Sequence, residues 1–412
     1  MKTTAYVNGL LIDGTGREVL PNSLILTEGS IIKYAGDKKD QRLKESDEVI
    51  DLSDHFITPG LIDCHVHLGG AISDKAKDWV LENDTQQAIV SVQQVRELLN
   101  HGITTVRDIS RNGLHLKPLI RDEIIQGPNI IACGPGLSRT GGHGDAHEVP
   151  IELVERSHPW ALICDGPEEI RKTVRKLIRM NSDWIKIWAT GGGLWEKERE
   201  TDQHYSLEEI KTVVEEANYL GLPVCAHCES LKGAKDSIKA GVASIEHGEE
   251  LDEECLEGMK RKNIFLVPTL GLFFEWFSTY EVPPRPELAA YEGSTNAEKE
   301  INRIKNNFKA AKDLGVKYAL GCDSFSNDLT PFGKYSLKEL YALVTAGCSP
   351  MEALVAGTRS GAELLRLEKS IGTLEEGKRA DFVILKKNPL ENINYFNKEN
   401  IAAVYKNGIR QV

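Results

Sequence analysis

The residues of this chain that could do chemistry begin with two histidines one residue apart. They end the apolar run Ile57-Thr58-Pro59-Gly60-Leu61-Ile62-Asp63-Cys64-His65-Val66-His67-Leu68. Side chains alternate between faces along a strand, so a strand over Leu61–His67 projects His65 and His67 together, where both can converge on one metal ion. An isolated His-x-His is often only solvated or hydrogen-bonded, and the pair gains meaning from further ligand-type residues. Four such residues stand in or just after other short apolar runs. Lys186 lies within Asp183-Trp184-Ile185-Lys186-Ile187-Trp188, and His227 ends Leu222-Pro223-Val224-Cys225-Ala226. His247 ends Ala243-Ser244-Ile245-Glu246, and Asp323 follows Tyr318-Ala319-Leu320-Gly321-Cys322. Taken singly, each has an ordinary explanation: a lysine that snorkels or ion-pairs, core histidines with satisfied hydrogen bonds, an aspartate that caps a helix.

The elements that must position these residues form a β/α rhythm. Strand candidates are Leu61–His67, Thr104–Asp108, Asn129–Cys133, Trp184–Trp188, Pro223–His227, Ala243–His247, Phe265–Pro268 and Lys317–Cys322. Amphipathic helices such as Thr85–His101, Pro167–Met180, Ser206–Leu220 and Ala297–Leu314 fill the gaps, and Ser206-Leu207-Glu208-Glu209 supplies a capping box. Eight such units predict an α/β fold built on a (β/α)8 TIM barrel, with a doubly wound open sheet as the alternative. Short alternating strands also crowd residues 1–56 and recur at Ala380–Leu385 and Ile401–Gly408, and neither end has enough of them to close a core alone. The expected organisation is a barrel over 57–374 and a small β-sandwich assembled from 1–56 plus 375–412. Barrel active sites assemble at the C-terminal ends of strands. The six residues fall there, on strands one, four, five, six and eight.

Composition bounds the rest. At 412 residues, 41% hydrophobic and 27% charged, the chain reads as a soluble globular protein. Its net charge of −12 argues against nucleic-acid binding and mildly favours neutral or cationic small substrates. The N-terminal residues lack the features of a signal peptide, and no window has the ~20 apolar residues of a membrane span. A cytoplasmic location is the expectation. Eight scattered cysteines predict buried free thiols, and Cys225 and Cys228 fall on opposite faces of one strand. Two stretches break the rhythm, Gly134–Asp165 and Gly271–Glu292. The second joins Phe273-Phe274-Glu275-Trp276-Phe277 to Pro283-Pro284-Arg285-Pro286, a candidate substrate loop or a contact in a homo-oligomer.

His65-x-His67, Lys186, His227, His247 and Asp323, with Thr58-Pro59-Gly60-Leu61-Ile62-Asp63 and Ser244-Ile245-Glu246-His247-Gly248, resemble the amidohydrolase superfamily with a binuclear metal centre. More narrowly, the chain resembles the imidazolonepropionase-related group that includes Xaa-Pro dipeptidases and arginine or lysine carboxypeptidases. The resemblance covers nearly the whole chain, including Gly372-Thr373-Leu374-Glu375-Glu376-Gly377-Lys378-Arg379-Ala380-Asp381. It implies that His65, His67 and Asp323 hold one divalent ion and His227 with His247 the other, both bridged by Lys186 as N6-carboxylysine. A neutral lysine that captures carbon dioxide becomes a carbamate, which bridges cations as a carboxylate does. The imidazole-rich donor set favours Zn2+, with manganese, cobalt and iron left open. The reaction implied is attack on an amide by a metal-bridging hydroxide, with Asp323 moving the proton to the leaving nitrogen.

The resemblance also carries a substrate role to His143, in Ser138-Arg139-Thr140-Gly141-Gly142-His143-Gly144-Asp145-Ala146-His147, as hydrogen-bond donor to the developing oxyanion. The alternative is a tight glycine turn with a solvated histidine. Prolidase-like relatives often carry Ala-Tyr after the fifth-strand histidine, where this chain has Cys228-Glu229. Glu229 as a substrate contact disfavours a substrate carboxylate and suits an amine or guanidinium. The loop from Gly191 to Glu200 adds acids beside Trp195, either as a substrate contact or as a solvated charged loop. The expected function is metal-dependent hydrolysis of amide bonds in small acylated amino acids or dipeptides. Hydrolysis of cyclic amides, carbamates or aryl amides is the nearest alternative, and a non-catalytic scaffold with this fold is the alternative of another class.

Overall fold

The computed structural model describes residues 2–73, 75–195, 198–279 and 296–412. Pro283–Pro286 lies outside the described residues. Parallel strands follow one another around a ring: Leu61–Ala71, Ile103–Asp108, Asn129–Ala132, Ile185–Trp188, Val224–Cys228, Ser244–His247 and Phe265–Val267. Two seams close it. At one, the third strand bends through residues 133–135 and continues as Gly136–Ser138, where Leu137 pairs with Ile187 of the fourth. At the other, Lys317–Leu320 lies between the seventh strand and the first. Leu266 N–H donates to Lys317 O (2.8 Å), Ala319 N–H to Leu266 O (3.0 Å) and Cys64 N–H to Leu320 O (2.9 Å). The eighth strand expected over Lys317–Cys322 is reduced to this bridge, and strand pairing resumes later, with a register shift, at Ser324–Ser326 beside the first strand. The physical reason is local. Asp323 adopts a left-handed backbone with φ 58°, which breaks the pleat between the two pieces.

The alternation that marked the strands is what sorts their side chains. Ile185 and Ile187 join the apolar layer beneath the helices, whereas Trp184, Lys186 and Trp188 share the opposite face. Cys225 and Cys228 separate in the same way, Cys228 reaching Ser237 of a surrounding helix (3.4 Å). All eight cysteines are free and buried. The helices form where their apolar residues recur on one face. Leu207–Asn218 buries Ile210, Val213, Val214 and Ala217, and its Ser206–Glu209 capping box is formed. Such a cap contributes about 1 kcal/mol, and each fully buried Val or Ile about 1.5 to 3 kcal/mol, so packing dominates.

Strands from both ends of the chain make a β-sandwich beside the barrel. A four-stranded sheet holds Thr3–Val7, Ser23–Glu28, Ile31–Asp37 and Glu48–Asp51. In the five-stranded sheet, Phe56–Pro59 lies between Leu10–Leu11 and Phe382–Leu385, followed by Ile401–Lys406 and Ile409–Arg410. Between the sheets Phe382 stacks on Tyr405 with ring centroids 4.6 Å apart and meets Tyr6 edge-on at 5.0 Å. Among the described residues, no helix is long and apolar enough to cross a membrane.

The first strand runs on past its histidines to Ala71, and its end presses against the helix Asp84–Asn100. Gly70 has φ 73°, and a Cβ there would come within 1.9 Å of Gln87 O. Gly70→Ala is therefore expected to destabilise the fold by about 2 to 4 kcal/mol, through backbone strain and the clash. Urea unfolding monitored by tryptophan fluorescence measures this, and an unchanged midpoint would show that the strand end yields freely.

Candidate metal centre and its cavity

All six expected residues meet at the C-terminal end of the barrel. Four are imidazoles, and each is gripped from outside through one ring nitrogen. His65 Nδ1 donates to Glu246 Oε2 (2.7 Å), His67 Nδ1 to Ile109 O (3.0 Å) and His227 Nε2 to Gly191 O (2.9 Å). His247 Nδ1 hydrogen-bonds Thr269 Oγ1 (2.8 Å). A ring that donates from one nitrogen while neutral keeps a lone pair on the other, so His65 and His67 offer Nε2, and His227 offers Nδ1. Burial, reinforced by nearby cationic groups, keeps His65 and His227 well below the usual histidine range, and burial pushes His247 down to about 3. Neutral imidazoles are the ligating form.

Asp323 Oδ1 lies 3.0 Å from His67 Nε2 and 3.4 Å from His65 Nε2. Burial alone would raise this carboxyl; protons on His65 and His67 hold it far below the usual carboxylate range, and with neutral rings a cation takes their part. The ligand atoms of His65, His67 and Asp323 all lie within 4.8 Å of one another. The same holds for a second group, His227, Glu229 and His247. Lys186 lines the same cavity as both groups. Its Nζ is 3.5 Å from His65 Nε2, the side chain is fully buried, and among the described residues no carboxylate is recorded in ion-pair contact with it.

The frame around these ligands was only partly visible beforehand. Arg107, wholly buried, donates from Nη2 to Glu246 Oε2 (2.6 Å) and from Nε to Cys64 O (2.6 Å), tying the carboxylate that holds His65 to the first strand. Its guanidinium also lies 4.8 Å from the centroid of the Trp184 ring. Asp63 Oδ1 accepts from the N–H groups of His65 (3.0 Å) and Cys322 (3.2 Å), so one buried oxygen sets the first strand against the segment that carries Asp323. His247 and Asp323 both have left-handed backbones, φ 68° and 58°. Such conformations cost of order 1 kcal/mol or more each. They end the run of each segment and turn these two side chains inward. The sequence did carry a signal for Arg107, a charged residue inside an apolar strand, which is the same signal that marked Lys186.

Above the centre opens a cavity of about 160 Å3. Its walls are aromatic: Trp79, Trp160, Trp188, Trp195, Phe273 and Phe277 face it. Phe273 and Phe277 belong to the helix Leu270–Thr279, into which the expected aromatic loop folds. Glu229 lines the cavity, nearly buried, with Oε1 3.6 Å from His227 Nε2. Burial, and then Glu249, push its carboxyl well above the usual range.

His143 also lines the cavity, stacked on His227 with ring centroids 4.7 Å apart. Its Nδ1 donates to Glu198 at 2.9 and 3.1 Å from the two carboxylate oxygens. Burial would raise Glu198, yet His143, with lesser help from the Leu194 N–H and His204, holds it below the usual glutamate range. His158 and His204 lie at the site too, although nothing in the sequence marked them. Burial pushes them down to about 3 and about 4 respectively. Asp145 and His147 serve the loop instead, Asp145 accepting from Gly141 N–H (2.8 Å) and His147 stacking on Trp195.

A profile of the Amidohydrolase family matches residues 56–410. Ochratoxinase of Aspergillus niger is 32% identical over 441 aligned positions, spanning 99% of this chain and 86% of that protein. The crystal structure of A. niger ochratoxinase superposes with a TM-score of 0.89 at 30% identity, covering 99% of this chain and 95% of that one. A crystal structure of a Xaa-Pro dipeptidase with methionine bound in its active site gives a TM-score of 0.84 at 30% identity, with 99% of both chains covered. Imidazolonepropionase of Rhizobium rhizogenes is 24% identical over 90% of this chain and 88% of that protein. The chain belongs to the amidohydrolase family and is a hydrolase acting on carbon–nitrogen bonds.

Proposed function

We propose that this chain hydrolyses the amide bond of small acylated amino acids or dipeptides bearing an aromatic or large apolar group, at a centre of two divalent metal ions. The observation that carries this reading is the meeting of three electron-pair donors, His65 Nε2 and His67 Nε2 lying 3.4 and 3.0 Å from Asp323 Oδ1. The outer partners leave the two imidazole atoms unprotonated, and a cation satisfies all three. The donor chemistry therefore fits the family's metals, with zinc first because neutral imidazole predominates. His65, His67 and Asp323 would hold one ion. His227 and His247 would hold the other.

Lys186 fits as the bridge once carboxylated. An ammonium enclosed beside imidazoles with no recorded carboxylate partner is costly, whereas the carbamate has the charge that two cations require. Divalent ions held by these residues would supply an acidified water and an electrophilic pull on the scissile carbonyl. Asp323 takes a proton from the attacking water and returns it to the leaving nitrogen as the C–N bond breaks. His143 faces the cavity and donates from Nε2 to the oxygen that gains charge. In that role the ring is an imidazolium, with Nδ1–H given to Glu198 and its charge balanced by that carboxylate. Glu229 contributes a polar contact in an otherwise apolar wall. The aromatic lining and the similarity to ochratoxinase support the substrate class.

Three results are expected. Purified protein loaded with zinc and bicarbonate should turn over N-acyl aromatic amino acids and aromatic dipeptides; activity confined to cyclic amides or carbamates would replace this substrate assignment. Asp323→Asn should lower kcat by about 100- to 10,000-fold, as loss of proton transfer does, without a lower Tm. Glu246→Gln should weaken metal retention by about 10- to 100-fold, because His65 loses its anionic anchor. Competition with a chromogenic chelator reads that loss, and unchanged retention would detach Glu246 from the metal centre.

A further inference from the structure

His143 is constrained on four sides, and one of the constraints is a buried acid, Glu198, that touches no reacting atom. Its backbone N–H donates to His204 Nδ1 (3.2 Å), and its carbonyl accepts from Trp195 Nε1 (2.8 Å). The ring lies on His227 at an interplanar angle of 23°. Its Nδ1 is held by both oxygens of Glu198, and Nε2 makes no hydrogen bond among the described residues. Backbone closes over the ring as well. A Cβ on Gly192 would stand 2.5 Å from His143 Cε1 and 3.0 Å from Nδ1, so the loop can approach this closely only through glycine.

Glu198 reaches the ring on a loop that begins directly beyond the Lys186 strand and is pinned at its base. Gly191 N–H donates to Asp202 O and His204 N–H to Ala189 O, both at 2.9 Å, and Thr190 bridges Gln203. The Glu198 carboxylate then accepts from Leu194 N–H (2.9 Å), and His204 Nε2 lies 3.8 Å from its other oxygen. Its side chain is 1% exposed. A carboxylate of this burial, aimed at one nitrogen of a cavity histidine, keeps that nitrogen protonated, favours a proton on the other as well, and decides which way the ring faces.

We infer that Glu198 is the positioning residue for His143: it keeps a proton on Nδ1 and turns Nε2 toward the scissile carbonyl. This rests on His143 serving the reaction as proposed above. Glu198 itself touches no reacting atom. The arrangement parallels the carboxylate–imidazole pairs that orient the ring and stabilise its charged form in acyl-transfer enzymes.

Two measurements on the metal-loaded, full-length protein test it. The first is a double-mutant cycle of Glu198→Ala and His143→Ala, with an N-acyl aromatic amino acid as substrate. Glu198→Ala is expected to lower kcat by about 10- to 100-fold with KM changed less than about 3-fold, and to add less than about 2-fold once His143 is alanine. Losses that multiply independently overturn the inference while leaving His143 in its role; a silent His143→Ala overturns both. The second is the 15N shift of His143 Nδ1 in selectively labelled protein. It should sit at the protonated position in the parent and move toward the unprotonated one in Glu198→Ala, and an unmoved shift overturns the inference. Should Glu198→Ala fail to fold, Glu198→Gln replaces it in both measurements, because its amide oxygen still accepts from Leu194 N–H. The same smaller, His143-dependent loss and shift are then required.

Discussion

Four imidazoles can crowd into one buried pocket only if none points a proton at another. That constraint governs this molecule more than any single contact. It is met from the outside, by giving each ring an acceptor or hydroxyl partner on its far nitrogen: a carboxylate for His65, main-chain carbonyls for His67 and His227, a threonine for His247. Those partners come from other barrel strands or from the residues just after them. Ile109 follows the second strand, Gly191 the fourth, and Thr269 the seventh, while Glu246 lies within the sixth. The ring of strands is therefore needed twice, once to bring the imidazoles together and once to bring each its partner.

Arg107 shows how far this dependence reaches. It lies in the second strand and grips Glu246 of the sixth, so it crosses the barrel interior where apolar side chains usually meet. Removing a guanidinium from such a place leaves a buried carboxylate with one partner fewer, and that carboxylate holds His65. The interior of this barrel is thus partly an electrostatic support. Its cost in desolvation is offset by pairing, by hydrogen bonds to Cys64 O and Ser244, and by the face of Trp184.

Much of this was legible in the sequence. Period-two alternation placed His65 beside His67 and put Lys186 on the same face as Trp184 and Trp188, because the strand period leaves no other choice. The repeated strand–helix order gave the barrel, and polar residues at strand ends gave six residues that meet. The eighth strand was misjudged because an apolar run is only permissive, and the left-handed turn at Asp323 is imposed by tertiary contacts. Glu198 reads only as one acid of the Gly191–Glu200 loop, and His158 and His204 carry no mark at all, for a different reason. They sit in connecting segments, where no periodicity constrains direction, and their meaning comes from loops folding back on the cavity. The aromatic run after Gly271 read as a loop and is a helix, since large apolar side chains suit either when packing decides.

The sheet that joins the two ends of the chain sets an order on biosynthesis. Phe56–Pro59 has Phe382–Leu385 as its antiparallel neighbour, so one flank of that early strand stays bare while the ribosome makes the whole intervening barrel. An unpaired apolar edge of this kind invites wrong partners. Pairings so distant along the chain also form slowly. A nascent chain halted before residue 382 would carry every metal-site residue named here and still lack the strand that seals its flank, which makes this segment a natural point of engagement for chaperones.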